Sequence, residues 1–119
     1  MTVKRVDKPW GHEVRFICTD RYAGKLLFIK AGAQLSLQYH EHKDETFYVQ
    51  SGTLELVLGR GDEQRVERLG PGESRHITPG TVHRFRGVTD CELFEASTPE
   101  LDDVVRIEDD FGREGTRGD

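Results

Sequence analysis

No window of eighteen apolar residues occurs in this 119-residue sequence, and its opening, MTVKRVDKPWGHEV, has no apolar stretch of the secretory-signal kind. A soluble, cytoplasmic chain without membrane contact is the expectation. Cysteine is scarce. Cys18 and Cys91 fall in apolar, β-like segments with no C-x-x-C spacing, which excludes a disulfide-stapled scaffold and points to buried free thiols. Clustered basic residues are missing too: the formal net charge is −5 and Lys and Arg are scattered, so nucleic acid is not an expected partner. An anionic small molecule is not excluded, because a few basic groups lining one pocket do not require a basic protein. The length allows one domain with its own core and is too short for two.

A sustained 3.6-residue apolar period is also absent. Short runs rich in Val, Ile, Phe, Tyr, Thr and Leu recur instead, separated by Gly, Pro and Asp. The runs predicted as strands are 13–19, 24–31, 33–40, 45–50, 53–59, 64–69, 74–78, 82–88 and 92–98. SGT at 51–53 and GRGDEQ at 59–64 read as hairpin turns, since Gly and Asp supply the backbone angles such turns need. So many short strands in one small domain predict an all-β closed barrel or double-sheet jelly roll, which also protects strand edges. Residues 1–111 form the expected single domain with an N-terminal arm. The segment LDDVVRIEDDF reads as a last strand or a short arm, and GREGTRGD, residues 112–119, as a flexible tail.

The stretch LSLQYHEHKDETFYVQSG, residues 35–52, carries the chemistry. Side chains alternate across a strand, so Ser36, Gln38, His40 and His42 share one face and Leu35, Leu37 and Tyr39 the other. In the next strand Glu45 shares its face with Phe47 and Val49. A carboxylate aligned with two core side chains is costly to bury unless something pairs it, and a divalent cation is such a partner. A further histidine, His83, follows a TPG turn and leads another β run. The outward apolar set at Leu35, Leu37 and Tyr39 would need a cover, from the N-terminal arm or a second subunit.

These residues resemble the two cupin motifs, G-x5-H-x-H-x4-E-x6-G and G-x5-P-x-G-x2-H-x3-N. Counting from Gly32 gives Gln38, His40, Glu45 and Gly52, with Gln38 in the first histidine's place; counting from Gly72 gives Thr78, Gly80, His83 and Gly87, with threonine for proline and glycine for asparagine. KPWG, LSLQYHEH, SGT, PGTVHR and RIEDDFGR are further similar to the isomerase domain of type II mannose-6-phosphate isomerases, which is often fused behind a nucleotidyltransferase. One departure is HKDETFY, where those isomerases usually read HRAEHW.

The resemblance implies a cupin β-barrel with one divalent metal ion held by Gln38, His40, Glu45 and His83. His42 or a water is the alternative to Gln38. Zinc is the first expectation, and manganese, iron, nickel and cobalt also suit nitrogen and oxygen donors. It implies interconversion of an aldose phosphate and a ketose phosphate of the mannose 6-phosphate and fructose 6-phosphate type. His42 and Glu41 are the candidate proton-transfer groups, and Lys25, Lys30, Arg84 and Arg113 the candidate phosphate contacts. An iron-dependent dioxygenase and a non-catalytic metabolite-binding module are the rival readings. Small cupins commonly pair, so a homodimer is expected. Trp10 is read as an anchor for the N-terminal arm, and His12 and His76 as solvent-facing.

Overall fold

The computed structural model describes residues 3–114. Eleven strands are formed: β1 (Lys4–Lys8), β2 (Gly11–Cys18), β3 (Ala23–Ile29), β4 (Leu37–Tyr39), β5 (Glu45–Ser51), β6 (Leu54–Leu58), β7 (Arg65–Leu69), β8 (Ser74–Ile77), β9 (His83–Gly87), β10 (Cys91–Ser97) and β11 (Val105–Glu108). A single 3-10 turn, Gly61–Glu63, is the one helical element among the described residues. No helix there is long and apolar enough to cross a membrane.

The strands form two antiparallel sheets. One runs β1-β2-β3-β10-β5-β8 and the other β11-β4-β9-β6-β7. Alternation decides which side chains face inward. Phe47 and Val49 of β5, Leu93 of β10, Leu27 and Ile29 of β3, and Leu54 and Leu56 of β6 are all buried and meet in one core cluster between the sheets. Phe47 and Phe85 meet edge to face there, ring centroids 4.8 Å apart. The outward partners on β5, Thr46, Tyr48 and Gln50, are exposed, as the period of two requires.

The expected turns are present. Gly52, between β5 and β6, has φ +83°, and a Cβ there would lie 2.1 Å from the Asp90 carbonyl oxygen. Only glycine fits such a place.

Three expectations change. The N-terminal arm is partly a strand, because β1 pairs with β2 at the sheet edge. The predicted strand over 33–40 shrinks to Leu37–Tyr39, preceded by an isolated bridge from Gln34 to Arg86. Backbone groups of the intervening stretch bond outside a ladder, Leu35 N–H donating to Phe85 O at 2.9 Å. Leu37, expected to need cover from the N-terminal arm or a second subunit, is 1% exposed within the single chain, and Leu35 packs against the core cluster. Of the alternatives for LDDVVRIEDDF the strand is formed, as β11 against β4. The expected tail lies mostly outside the described residues, although Arg113 is held by three hydrogen bonds to Asp109. Both thiols are free; Cys91 is buried and Cys18 half-buried.

Candidate metal centre and cavity

Three strands, β4, β5 and β9, bring the motif residues together. Gln38 of β4 pairs in register with His83 of β9, in one sheet. Glu45 opens β5 in the other sheet, its side chain inward with Phe47 and Val49. His40 lies just after β4, and its carbonyl oxygen accepts a 2.7 Å bond from Gly80 N–H, which ties the first motif loop to the TPG turn of the second. His40, Glu45 and His83 are buried, and one ligand atom from each lies within 4.8 Å of the others.

The tautomers follow from the outer partners. His40 Nδ1–H donates to the Asp103 carbonyl oxygen at 2.6 Å, and His83 Nδ1–H to the Thr81 carbonyl oxygen at 2.8 Å. A carbonyl oxygen only accepts, so each neutral ring carries its lone pair on Nε2. Both Nε2 atoms point at one carboxylate oxygen: Glu45 Oε1 is 2.7 Å from His40 Nε2 and 3.6 Å from His83 Nε2. His40 Nε2 and Glu45 Oε1 are buried without a hydrogen-bond partner. Lone pairs at that separation repel unless they share a proton or a metal cation, and two imidazoles with a carboxylate are a donor set that zinc and its neighbours take. The residues present therefore fit a divalent metal. Gln38 lines the same cavity, with its Oε1 accepting a 2.5 Å bond from Ser36 Oγ.

Electrostatics favour the deprotonated donors. Burial opposes ionisation of Glu45, but the Lys43 ammonium holds its carboxyl well below the usual carboxylate range. Burial pushes the His83 imidazole down, toward the neutral ligand form. Lys43 is itself buried. Glu95 and Glu45 outweigh that burial and keep its ammonium charged, with Nζ 3.1 Å from Glu95 Oε2 and 3.9 Å from Glu45 Oε2. Burial, then the charge of Glu45, raises the Glu95 carboxyl.

The enclosed room in the cavity is about 70 Å³, enough for an ion and a few waters, and it opens to solvent at its mouth. Its wall carries Lys8, Arg15, Lys25, Lys43, Arg106 and Arg113 against the carboxylates Glu13, Glu45 and Glu95.

Of the residues singled out in the sequence, Gln38, His40, Glu45, His83, Lys25 and Arg113 line this cavity. Four do not. His42 and Glu41 are exposed on the loop beyond His40, where their backbone N–H groups donate to the Asp103 carboxylate at 2.7 and 3.0 Å. Lys30 is exposed beside a separate cleft that includes Cys91 and Asp90. Arg84 is buried, its guanidinium donating to the carbonyl oxygens of Leu35 and Glu108 at 2.8 and 3.3 Å, which ties β9 to the segment before β4 and to β11. Trp10 is buried in the core cluster and also lines the cavity. His12 stacks on Phe28 and His76 pairs with Asp44 at 2.6 Å.

Sequence reasoning missed Lys43, Glu95, Glu13 and Arg15. The signal was there: Lys43 has the parity of Glu45, and Lys25 and Glu95 that of the core residues Leu27 and Leu93, so the facing argument made for Glu45 extends to them.

The barrel and its motif-end donor set define a cupin. Solved structures agree: the capsular polysaccharide assembling protein CapF from Staphylococcus aureus superposes with TM-score 0.78 at 23% identity, over 90% of this chain and 34% of that one. An RmlC-like cupin from Shewanella frigidimarina gives 0.70 at 15% identity, over 82% and 84%. At such identities the likeness shows the fold alone. Residues 1–109 match the family described as mannose-6-phosphate isomerase C-terminal, and the chain belongs to it.

Curated relatives are similar over nearly the whole chain. The xanthan biosynthesis protein XanB of Xanthomonas campestris pv. campestris (strain B100) is 38% identical over 115 residues, 92% of this chain and 24% of that protein. The mannose-1-phosphate guanylyltransferase of Escherichia coli K12 is 36% identical over 115 residues, 92% and 23%. The alginate biosynthesis protein AlgA of Pseudomonas putida is 34% identical over 116 residues, 93% and 23%. The chain thus spans about a quarter of the length of these relatives.

Proposed function

We propose that this chain is a metal-dependent cupin that acts on a sugar phosphate, interconverting an aldose phosphate and a ketose phosphate of the mannose 6-phosphate and fructose 6-phosphate type. The observation that carries the reading is the convergence of His40 Nε2, His83 Nε2 and Glu45 Oε1 in a cavity whose wall is also rich in Lys and Arg. His40, Glu45 and His83 would hold one divalent ion, zinc in the first instance, with Gln38 beside them. Such an ion, when bound, supplies Lewis-acid polarisation of sugar oxygens. The protein's own part is to exclude water around those oxygens, to orient the sugar and to move a proton between adjacent carbons. His42 and Glu41 stand outside the lining, so Glu95, the lining carboxylate that Lys43 links to Glu45, is the group better located for that transfer. Membership of the family supports the substrate class. The guanylyltransferase chemistry named for the relatives belongs to proteins about four times as long and is not proposed here.

The test is interconversion of mannose 6-phosphate and fructose 6-phosphate by metal-supplemented protein. Activity that disappears in Glu45→Ala is the expected result. Absence of turnover with every common hexose and pentose phosphate overturns the reading. We also propose a cytoplasmic location and a homodimer. With Leu37 covered, the outward face of the six-stranded sheet, where Phe16, Tyr48 and Phe94 are exposed, is the surface proposed for pairing. Sedimentation that gives a monomer at micromolar concentration refutes the dimer.

A further inference from the structure

Across the inner face of the six-stranded sheet, charged side chains occupy positions that strand parity reserves for the core. Arg15 of β2 stands directly opposite Lys25 of β3, and Lys25 directly opposite Glu95 of β10. Lys25 shares its face with buried Leu27 and Ile29, and Glu95 with buried Cys91 and Leu93. Two cations directly opposite one another on adjacent strands repel. Burying them costs free energy that apolar side chains at the same places would not. Charged residues that break the local pattern in this way mark sites where function outweighs stability.

Glu13, 3% exposed, sits among the cations. Its Oε2 is 2.7 Å from Arg15 Nε and 3.7 Å from Lys25 Nζ, and its Oε1 is 3.9 Å from Lys8 Nζ. The side chains of Lys8, Arg15 and Lys25 are 8%, 11% and 13% exposed, against 62% for Arg5 in the surface pair with Asp7, so this cluster is turned into the cavity rather than over the surface. Lys25 Nζ also lies 3.6 Å from Glu95 Oε2, and Lys43 spans from Glu95 to Glu45, so one continuous polar wall joins the cluster to the metal donors.

We propose that Lys8, Arg15 and Lys25 form a phosphate-binding subsite on the β1–β2–β3 wall of the cavity, with Glu13 holding the three cations in position. The inference rests on the sugar-phosphate reading and orients the ligand within it: phosphate against this wall, sugar oxygens toward His40, Glu45 and His83. A phosphate monoester carries two charges on three oxygens, and a guanidinium flanked by two ammonium groups matches both the charge and the number of acceptors.

The experiment is calorimetric titration of metal-loaded protein with inorganic phosphate and, separately, with mannose 6-phosphate. Wild type is compared with Lys25→Gln and Arg15→Gln, with bound metal measured in each. A charge-assisted hydrogen bond is worth about 1.5–3 kcal/mol, so each substitution is expected to weaken both ligands by about 10-fold or more while bound metal is unchanged. Unchanged affinity for both ligands in both variants overturns the proposal. Should either variant fail to fold, the wild-type Arg15 Nε–H resonance serves: it shifts on saturation with phosphate if the subsite exists, and its failure to move refutes it. Phosphate binding that shifts this resonance without turnover of any sugar phosphate leaves the subsite standing and removes the isomerase reading alone.

Discussion

Removing the Asp103 carboxylate should loosen the metal loop from outside the cavity. Residues 40–44 connect β4 to β5 with no ladder of their own, and Asp103 organises them from the segment before β11. Its Oδ1 accepts from Glu41 N–H at 3.0 Å, and its Oδ2 from His42 and Lys43 N–H at 2.7 and 2.9 Å. These three bonds, with burial opposing them, hold the Asp103 carboxyl below the usual carboxylate range. A buried bond to a charged group is worth about 1.5–3 kcal/mol, but this carboxylate is partly solvated and its donors regain water when it is removed, so about 1 kcal/mol each is the discounted figure. Asp103→Ala should then cost about 3 kcal/mol of stability. With a urea dependence of about 1.5 kcal/mol per molar, the midpoint falls by about 2 M.

The sign with pH is fixed by the direction of the shift. A carboxyl depressed in the folded state stabilises above its unfolded pKa of about 3.9, so the difference between wild type and variant is full at pH 7 and shrinks as the pH falls below about 4. The His40 Nδ1 partner is the backbone carbonyl of Asp103 and survives the substitution. What is lost is the placement of the loop, and metal affinity should drop by about 10- to 100-fold, the scale for outer-shell partners. Urea unfolding in chelator, followed by metal titration of the folded variant, measures both. A midpoint within about 0.3 M of wild type, equal to about 0.5 kcal/mol at that slope, refutes the reasoning.

Three further outcomes are expected. Leu93→Ala, at a position with no exposure on the central β10, should cost about 2–5 kcal/mol in equilibrium unfolding, and a loss under about 1 kcal/mol would contradict the core described. Gly52→Ala forces a side chain into a positive-φ turn against the Asp90 carbonyl and should destabilise by more than about 1 kcal/mol, read as a lower thermal midpoint. Burial, helped by the charge of Asp90, raises the Cys91 thiol to about 11, so alkylation of native protein at pH 8 should spare Cys91 until the protein is unfolded; rapid labelling of the folded state would show that β10 opens.

The cupin class, the turn at Gly52 and the inward placing of Glu45 were legible because each depends on local rules: period-two alternation, positive-φ glycine and fixed motif spacing. The length of β4 was not. Apolar content over 33–40 permits a strand, but which backbone groups find ladder partners depends on the chain at 83–87 and 105–108. The fates of Lys30 and Arg84 were equally hidden, since a basic residue beside a motif looks the same whether it faces a cavity, solvent or a carbonyl from a distant strand.

By itself, then, the sequence determined the alternation of apolar and polar positions, hence the sheets, and the spacing that makes His40, Glu45 and His83 a donor set. Only the tertiary structure decided that Glu13, Arg15, Lys25 and Glu95, drawn from three separate strands, meet on one wall beside that set. Strand pairing fixes which residues stand opposite one another, and that register is a property of the assembled sheet, not of any single strand.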